Sequence, residues 1–170
     1  MTGGTTVRRA APGDAPAMAR VHVESWRSTY RGLMPDELLD DAQFVVRRER
    51  FWTAALTDER FAANRVAVAE HEGEVVGIAM SGPSTDSTDA VQLYVLYLLD
   101  GHHGSGAGSA LLDVVLDAGD DVVLWVADPN PRAQAFYRKR GFAFDGTEQA
   151  DDGVRERRMV RAATAAKSGV

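Results

Sequence analysis

Residues 93–112 read Leu-Tyr-Val-Leu-Tyr-Leu-Leu-Asp-Gly-His-His-Gly-Ser-Gly-Ala-Gly-Ser-Ala-Leu-Leu. An apolar run leads into a glycine-rich turn and then into a segment whose apolar residues recur at helical spacing. Gly104, Gly106 and Gly108 have no side chains to keep a ligand away, so consecutive backbone N–H groups at the helix start can point at one anion. Three alternating glycines exceed what a turn or a helix start requires. The stretch therefore predicts a strand, a phosphate-binding loop and a helix.

Two common phosphate-binding motifs do not describe this loop. A nucleotide P-loop has Lys-Ser or Lys-Thr after its last glycine, whereas Gly108 is followed by Ser109 and Ala110. The dinucleotide fingerprint has the form Gly-x-Gly-x-x-Gly near the N-terminus, whereas this loop reads Gly-x-Gly-x-Gly and lies two-thirds along the chain. The sequence excludes a P-loop and disfavours a Rossmann domain.

The glycine loop resembles the pyrophosphate loop of the GCN5-related N-acetyltransferases, the GNAT superfamily. Read from His103, it has a basic residue, two spacers, Gly106, one spacer and Gly108. In that family the loop binds the pyrophosphate of acetyl-coenzyme A, and the position of His103 usually holds Gln or Arg. The resemblance implies acetyl-coenzyme A as the cofactor, with His103 orienting the loop rather than supplying a fixed cation.

A second segment carries the same resemblance. Residues 124–142 match the family's next strand and helix, with an Asn, an Ala, a Phe-Tyr pair, a basic residue and Gly-Phe at the expected spacing. The two motifs together span residues 91–144. The implied fold is the α/β GNAT fold: a mixed, mostly antiparallel sheet of six to seven strands, with helices on both faces and a splay between two central parallel strands.

The apolar periodicity predicts the elements along the chain, and their order is that of the GNAT fold. Strands are predicted near 7–9, 65–70, 75–80, 91–99, 122–126, 142–148 and 155–160, and helices over 15–30, from 35, over 41–56, after the glycine loop and over 131–140. We expect Asp14 to cap the first helix and Gly119 to end the helix after the loop. A single domain is expected over residues 5–162, followed by a disordered tail at 163–170.

Composition narrows the function classes. The 170 residues are 45% hydrophobic and 26% charged, which is typical of one globular domain. The net charge of −6 disfavours a nucleic-acid partner. Because the chain has no cysteine and its four histidines lack zinc spacing, we expect no metal. With no apolar stretch of membrane-spanning length and no signal peptide, we expect a cytoplasmic protein without a membrane partner. The sequence leaves open whether it is a monomer or a homodimer.

The resemblance also assigns contacts with acetyl-coenzyme A, through the backbone of the first parallel strand, the glycine loop and the helix after Asn130. The expected cofactor-binding residues are Leu96, Tyr97, Leu98, His103, Gly104, Ser105, Gly106, Ala107, Gly108, Ser109, Asn130, Ala133, Phe136 and Tyr137. The side chain of Asn130 has an alternative role as the cap of the helix that begins at Pro131.

Two residues are expected to act on the thioester. By resemblance, the main-chain N–H of Leu98 polarises the carbonyl and stabilises the oxyanion, and Tyr137 protonates the departing thiolate. The alternative for Tyr137 is a core aromatic, because Ala133, Phe136 and Tyr137 lie on one helix face. Glu24 is a candidate for a catalytic or substrate-binding role, although Arg20 stands at a spacing that favours an ordinary salt bridge.

The proton acceptor for the amine stays unassigned. With no cysteine and no matched Ser-His-Asp arrangement, we expect direct attack by an amine, which must first lose a proton. Many family members have a Glu before a Leu-Tyr pair for this step, but this chain has Gln92 there. The candidates by residue type are His22, Glu24 and His71.

The expected partner is a small-molecule primary amine, with Trp26, Tyr30 and Arg31 lining its site. An aromatic wall with an arginine nearby suits a small amine, an amino acid or an antibiotic that carries a carboxylate. One alternative is acetylation of protein or peptide amines. A second alternative is a non-catalytic GNAT-fold sensor that binds acyl-coenzyme A, although the presence of Asn130 and Tyr137 argues against it.

Overall fold

A computed structural model describes residues 3–86 and 89–164. Its strands are β1 (Thr6–Arg9), β2 (Arg65–His71), β3 (Glu74–Pro83), β4 (Val91–Leu98), β5 (Val122–Ala127), β6 (Ala143–Asp151) and β7 (Val154–Arg161). Its helices are α1 (Ala15–Tyr30), α2 (Asp36–Leu39), α3 (Gln43–Thr57), α4 (Ala107–Val115) and α5 (Pro131–Lys139). The predicted order of elements is confirmed.

The seven strands form one sheet in the order β1-β2-β3-β4-β5-β7-β6. Among the described strands only β4 and β5 run parallel to each other, and every other neighbouring pair is antiparallel. Helices α1 and α3 cover one face with an apolar cluster that includes Met18, Val21, Trp52 and Ile78. Helices α4 and α5 cover the other face with a cluster that includes Leu111, Val115, Leu124 and Met159. The predicted mixed sheet with helices on both faces is confirmed.

The parallel pair separates after three residue pairs. Pairing between β4 and β5 ends at Leu93 and Leu124. On the other side of β4, Ser81 pairs with Leu93 and Met80 with Val95, so Tyr94 is an extra residue that forms a β-bulge. Leu93 packs with the α4 face, whereas Val95 packs with the α1 face, because the bulge interrupts the alternation of side chains. The predicted splay is confirmed and begins at this bulge.

Two predicted helix ends differ from the structure. Helix α4 ends at Val115 rather than near Gly119, because Leu116 is extended and the Val115 carbonyl accepts hydrogen bonds from Ser81 Oγ and from Arg65. These contacts come from distant strands, so the local sequence does not show them.

Asp14 occupies the cap position of α1, but its side chain does not cap that helix. Its carboxylate instead accepts hydrogen bonds from the Arg8 guanidinium and from the N–H of Ala11. The predicted capping role is therefore wrong, because an ion pair to β1 takes the carboxylate.

The predicted tail is described only at its start. The N–H of Thr164 donates to the carbonyl of Ala118, and residues 165–170 lie outside the described residues. Within the described part of the chain, no helix combines the length and the apolar character needed to cross a membrane.

Candidate active site

The gap between β4 and β5 opens into a cleft of about 1420 Å³. Its walls are α1, β4, the glycine loop, β5, α5 and the hairpin of β6 and β7. Residues from both faces of the sheet line it, including Tyr97 from the α1 side and Phe136 from the α5 side. The cleft therefore connects the two faces through the opening between the parallel strands.

At one end of the cleft lies the glycine loop, which we call the phosphate end. Gly104 and Gly106 have φ values of +78° and +86°, which side chains disfavour, and no atom lies within 4 Å of where a Cβ would stand on either. Gly108 differs, because a Cβ there would meet Phe136 Cζ at 3.3 Å. Gly104 and Gly106 thus shape an open backbone cradle at the start of α4, and Gly108 permits close packing of α4 on α5.

Basic side chains surround the phosphate end. Arg132, Lys139 and Arg140 line the cleft, and the Arg140 guanidinium donates to Ser109 Oγ. Burial and then the charge of Arg132 lower the pKa of His103, so its ring is neutral at pH 7. Sequence reasoning missed this cluster, although the seven-residue spacing of Arg132 and Lys139 places them on one face of α5. Backbone donors and cations together fit a ligand with several phosphates.

Ser105 and Ala107, two expected cofactor residues, are not among the residues that line the cleft. Ser105 Oγ donates to the carbonyl of His102 at 2.6 Å and accepts from the N–H of Ala107 at 3.3 Å. These bonds hold the shape of the loop. The other expected cofactor residues line the cleft.

Asn130 fits both roles considered for it. Its Oδ1 accepts the N–H of Ala133 at 3.3 Å, which caps α5. The residue also lines the cleft. Because the cap uses only the oxygen, the side-chain NH₂ group stays available to a ligand.

Tyr137 of α5 lines the cleft. Its ring packs against Phe136 and Phe142 at centroid distances of 5.5 and 5.7 Å, and the side chain is 9% exposed. No described residue forms a hydrogen bond with the hydroxyl, and burial raises the pKa of Tyr137 above its ordinary value. The phenol is therefore protonated at neutral pH and has a proton to donate.

The N–H of Leu98 faces the gap. The next residue, Leu99, donates its N–H to the carbonyl of Val76 on β3. Because successive N–H groups of a strand point to opposite edges, the N–H of Leu98 points toward β5, where no strand pairs with it. This direction fits the expected oxyanion role, which stays a prediction.

Another part of the cleft is lined by Trp26 and Tyr30 of α1, and we call it the acceptor end. Trp26 Nε1 donates to the Tyr97 hydroxyl at 3.0 Å, and the Trp26 and Tyr30 rings stand 4.9 Å apart. Both α1 rings pack against the apolar cluster of Met34, Leu39, Ala127 and Val154. Burial raises the pKa of Tyr30, which keeps its hydroxyl neutral. Trp26 and Tyr30 thus line the cleft as expected for a substrate wall.

Arg31 does not lie at this wall. It is absent from the residues that line the cleft, and its guanidinium donates to Asp36 at 3.0 Å and to Asp40 at 2.9 Å. These two carboxylates hold Arg31 against the segment after α1. The expected substrate contact of Arg31 therefore has no support in the structure.

Two of the three candidate bases lie away from the cleft. His22 is buried and accepts a hydrogen bond from Trp52 Nε1 at 3.2 Å, and burial lowers its pKa to about 3. The ring of His71 packs against that of His102 at the end of β2. Neither histidine lines the cleft.

Glu24 lines the cleft and is exposed. Arg20 and Arg27 donate to the carbonyls of Val75 and Leu39, and in the described residues no cation lies within ion-pair distance of Glu24. The salt bridge considered as an alternative for Glu24 is thus not formed.

The hairpin of β6 and β7 supplies carboxylates that sequence reasoning missed. Asp151, Asp152 and Glu156 line the acceptor end together with Gln149. The sequence carried one signal for this hairpin, because Asp152-Gly153 is a dipeptide typical of tight turns between strands. The two residues have φ values of +48° and +80°, and the turn fixes which residues of the hairpin share a face. The contact between that face and α1 is tertiary and was not visible.

Residues 19–142 match the model of the acetyltransferase (GNAT) family. This match covers most of the chain, and the chain belongs to that family. The predicted superfamily is confirmed, and the prediction of an acetyltransferase is confirmed at the level of the family. The family uses acetyl-coenzyme A as its acetyl donor, which agrees with the open, basic phosphate end.

Relatives and solved structures agree with this assignment. The chain is 38% identical over 137 residues to an uncharacterized N-acetyltransferase of Mycobacterium tuberculosis, covering 78% of this chain and 74% of that protein. It is 29% identical over 144 residues to a probable N-acetyltransferase of the same organism, covering 82% and 80%. The fold is similar to that of the PaiA N-acetyltransferase of Thermoplasma acidophilum in complex with coenzyme A, with a TM-score of 0.73, 18% identity and coverage of 94% and 99%.

Proposed function

We propose that this protein transfers the acetyl group of acetyl-coenzyme A to the primary amine of a small molecule, by direct attack within a ternary complex. One observation carries the proposal. A single cleft joins a glycine cradle with cations, an open strand edge, the unpartnered Tyr137 hydroxyl and an aromatic wall. Each of these parts corresponds to one requirement of acetyl transfer from a phosphate-bearing thioester to an amine.

The geometry supports a set of residues as the contacts of the cofactor. Gly104 and Gly106 present backbone N–H groups to the pyrophosphate, and Arg132 and Lys139 contribute cations to the same end. Asn130 lines the cleft, and its amide donors, which the helix cap does not use, contact the pantetheine arm. When bound, acetyl-coenzyme A supplies an activated acetyl thioester.

The residues at the middle of the cleft act on the thioester. The N–H of Leu98 donates to the carbonyl oxygen as negative charge develops on it, and the Tyr137 hydroxyl donates its proton to the departing sulfur. Trp26 and Tyr30 orient the amine against the opening. With no cysteine in the chain, no cysteinyl acyl-enzyme is involved.

A protein or peptide amine is the second candidate acceptor. The carboxylates of Asp151, Asp152 and Glu156 favour it, because an acidic wall attracts a lysine side chain or an N-terminal amine as well as a small cation. The rings of Trp26 and Tyr30 close one side of the acceptor end, which supports the small molecule first.

Calorimetry with acetyl-coenzyme A tests the cofactor, and thiol release with small amines and lysine peptides then tests the acceptor class. We expect Tyr137→Phe to bind the cofactor like the wild type and to lower kcat about 100-fold. Tyr94→Phe is the matched control, because the Tyr94 hydroxyl already donates to the Pro83 carbonyl at 2.6 Å. A wild type that does not bind acetyl-coenzyme A overturns the proposed function, and binding without amine-dependent thiol release favours the sensor.

A further inference from the structure

Glu156 is a half-buried carboxylate at the acceptor end without a cationic partner. It pairs with Ala127 at the end of β5 and lies two residues from Val154, on the same face of β7. Val154 belongs to the apolar cluster against which Trp26 packs. Gln149 Nε2 donates to Glu156 Oε1 at 2.9 Å. Among the described residues, no arginine or lysine nitrogen lies within 4.0 Å of this carboxylate. A partly desolvated carboxylate in such a place is unfavourable unless a ligand brings the opposite charge.

The other carboxylates of the hairpin extend the same feature. Asp151 and Asp152 line the cleft and likewise have no ion-pair partner among the residues that the structure describes. Elsewhere on the hairpin, Asp145 and Glu148 are paired with Arg158 and Arg155. Of the hairpin carboxylates described, those that line the cleft are thus the ones without an ion-pair partner. The basic residues that line the cleft stand at its phosphate end.

A separate observation also indicates a ligand here. Ser25 lines the cleft from α1, next to Trp26, and is 6% exposed. Its Oγ is buried and has no hydrogen-bond partner. Because a buried hydroxyl without a partner is costly, this group calls for a polar ligand atom at the acceptor end.

We propose that Glu156 receives the proton of the acceptor's ammonium group, and that the acidic hairpin selects amines whose far end is a second cation rather than a carboxylate. This inference rests on the proposed function and assigns the base that the sequence left open. Two histidine candidates lie outside the cleft, and Glu24 is the more exposed of the two glutamates that line it. Burial raises the pKa of Glu156, which brings it closer to the value that suits a base at neutral pH.

The proton balance closes with the residues at the cleft. The acceptor nitrogen begins as an ammonium with three protons, and Glu156 takes the first and passes it to water. The nitrogen lone pair then forms the bond to the thioester carbon. As the carbon–sulfur bond breaks, Tyr137 protonates the sulfur, and the second nitrogen proton restores the phenol. The products are the acetylated amine, the coenzyme thiol and one proton in solution.

The pH profile separates a base from a structural residue. The titratable groups that face Glu156 are Tyr30 from α1, Tyr97 from β4 and Asp151 from β6, and both tyrosines have raised pKa values. The tyrosines therefore do not contribute in the neutral range, where Glu156 and the amine set the profile. The wild-type rate is flat between the carboxyl and amine pKa values, whereas a variant without the base gains about tenfold per pH unit, because only amine that is already neutral reacts.

The test uses cadaverine, hexylamine and ε-aminocaproate, which share a five-methylene chain and end in an ammonium, a methyl and a carboxylate. We expect wild-type kcat/KM to fall in that order, by about tenfold at each step. Glu156→Gln should lower kcat for cadaverine about 100-fold at pH 7 and produce the rising pH profile, with unchanged affinity for coenzyme A. Glu148→Gln is the matched control, because Glu148 lies on the same hairpin, is paired with Arg155 and lies outside the cleft.

The outcomes distinguish this inference from the proposed function. If the wild type does not bind coenzyme A, the proposed function is overturned. With binding intact, this inference alone is overturned by equal rates for the three amines, by no transfer to cadaverine, by a flat pH profile in Glu156→Gln, or by an equal loss in Glu148→Gln. A loss of rate in Glu24→Gln but not in Glu156→Gln also overturns it and assigns the base to Glu24.

Discussion

The two ends of the cleft are built in different ways. The phosphate end is mostly backbone, with positive-φ glycines at the start of α4 and cations from α5 around them. The acceptor end is made of side chains, namely the rings of Trp26 and Tyr30 on α1 and the carboxylates of the β6–β7 hairpin. Backbone donors bind what all phosphates share, whereas a wall of side chains can differ from one protein to the next without disturbing the fold.

The largest effect is expected at the backbone of the phosphate end. Gly106→Val places a β-branched residue at a φ of +86°, a strain of about 1–3 kcal/mol. The loop relaxes to avoid the strain, and its N–H groups no longer converge. We expect coenzyme A affinity to fall about 100-fold by calorimetry, which corresponds to about 2.8 kcal/mol.

Gly146→Val is the control for that variant. Gly146 lies on β6, has a φ of +87° and has open space around it, but it is not at the cleft. Gly146→Val introduces the same backbone strain at a position outside the glycine loop. An equal loss of affinity in both variants would show that strain on the fold, rather than the loop geometry, weakens binding.

A smaller effect is expected from the cations of the phosphate end. Arg132→Gln combined with Lys139→Gln removes two charges that line the cleft. Coenzyme A should bind about tenfold more weakly at low salt, with a smaller difference at high salt because ions screen exposed charges. Arg60→Gln, far from the cleft and paired with Asp58, should leave titrations at both salt concentrations unchanged.

Ser25 at the acceptor end can be compared with Ser81, a buried serine on β3 outside the cleft. Ser25→Ala removes a hydroxyl without a partner, so the free energy of unfolding should not fall, while KM for the amine should rise about fivefold. Ser81→Ala removes a hydroxyl that donates to the Val115 carbonyl at 2.5 Å, and should lower the free energy of unfolding by about 1 kcal/mol with KM unchanged. Denaturant unfolding measures the stability of both variants, and steady-state kinetics measures their KM. An unchanged KM in Ser25→Ala would show that Ser25 does not contact the amine.

The smallest effect concerns the stability of the acceptor end. Burial raises the pKa of Glu156 in the folded state above its unfolded value, so the ionised carboxylate destabilises the fold at pH 7. This destabilisation disappears as the pH falls below the unfolded pKa. Glu156→Gln should therefore raise Tm at pH 7 by about 1–3 °C and make no difference at low pH, as measured by thermal unfolding. A lower Tm at pH 7 would mean that the carboxylate stabilises the empty cleft.

The sequence predicted the phosphate end better than the acceptor end for a physical reason. The glycine loop and the segment from Asn130 to Phe142 are contiguous, so their residue types and spacing carry most of their geometry. The order of strands and helices followed in the same way from local periodicity. Ser105 and Ala107 were expected as contacts but shape the loop, which spacing alone does not distinguish.

The acceptor end depends on contacts between distant segments. Glu156 meets α1 only because β7 lies beside β5, an order that adjacent residues do not encode. Arg31 was expected at the wall, but Asp36 and Asp40 hold it elsewhere. The helix end at Val115 was missed for the same reason, because its partners Ser81 and Arg65 lie on other strands.

The bulge at Tyr94 reverses the alternation of β4, so it decides which of the later residues point to each face of the sheet. Before it, Leu93 serves the α4 face, and after it Leu98 serves that face while Tyr97 serves the α1 face. If the bulge were lost and Tyr94 paired with Met80, every later position of β4 would shift to the opposite face of the sheet. The Tyr97 hydroxyl would leave Trp26, and the N–H of Leu98 would turn toward β3. A change of pairing at the start of the strand would thus alter the acceptor end and remove the N–H donor from the gap, with the same residues in the chain.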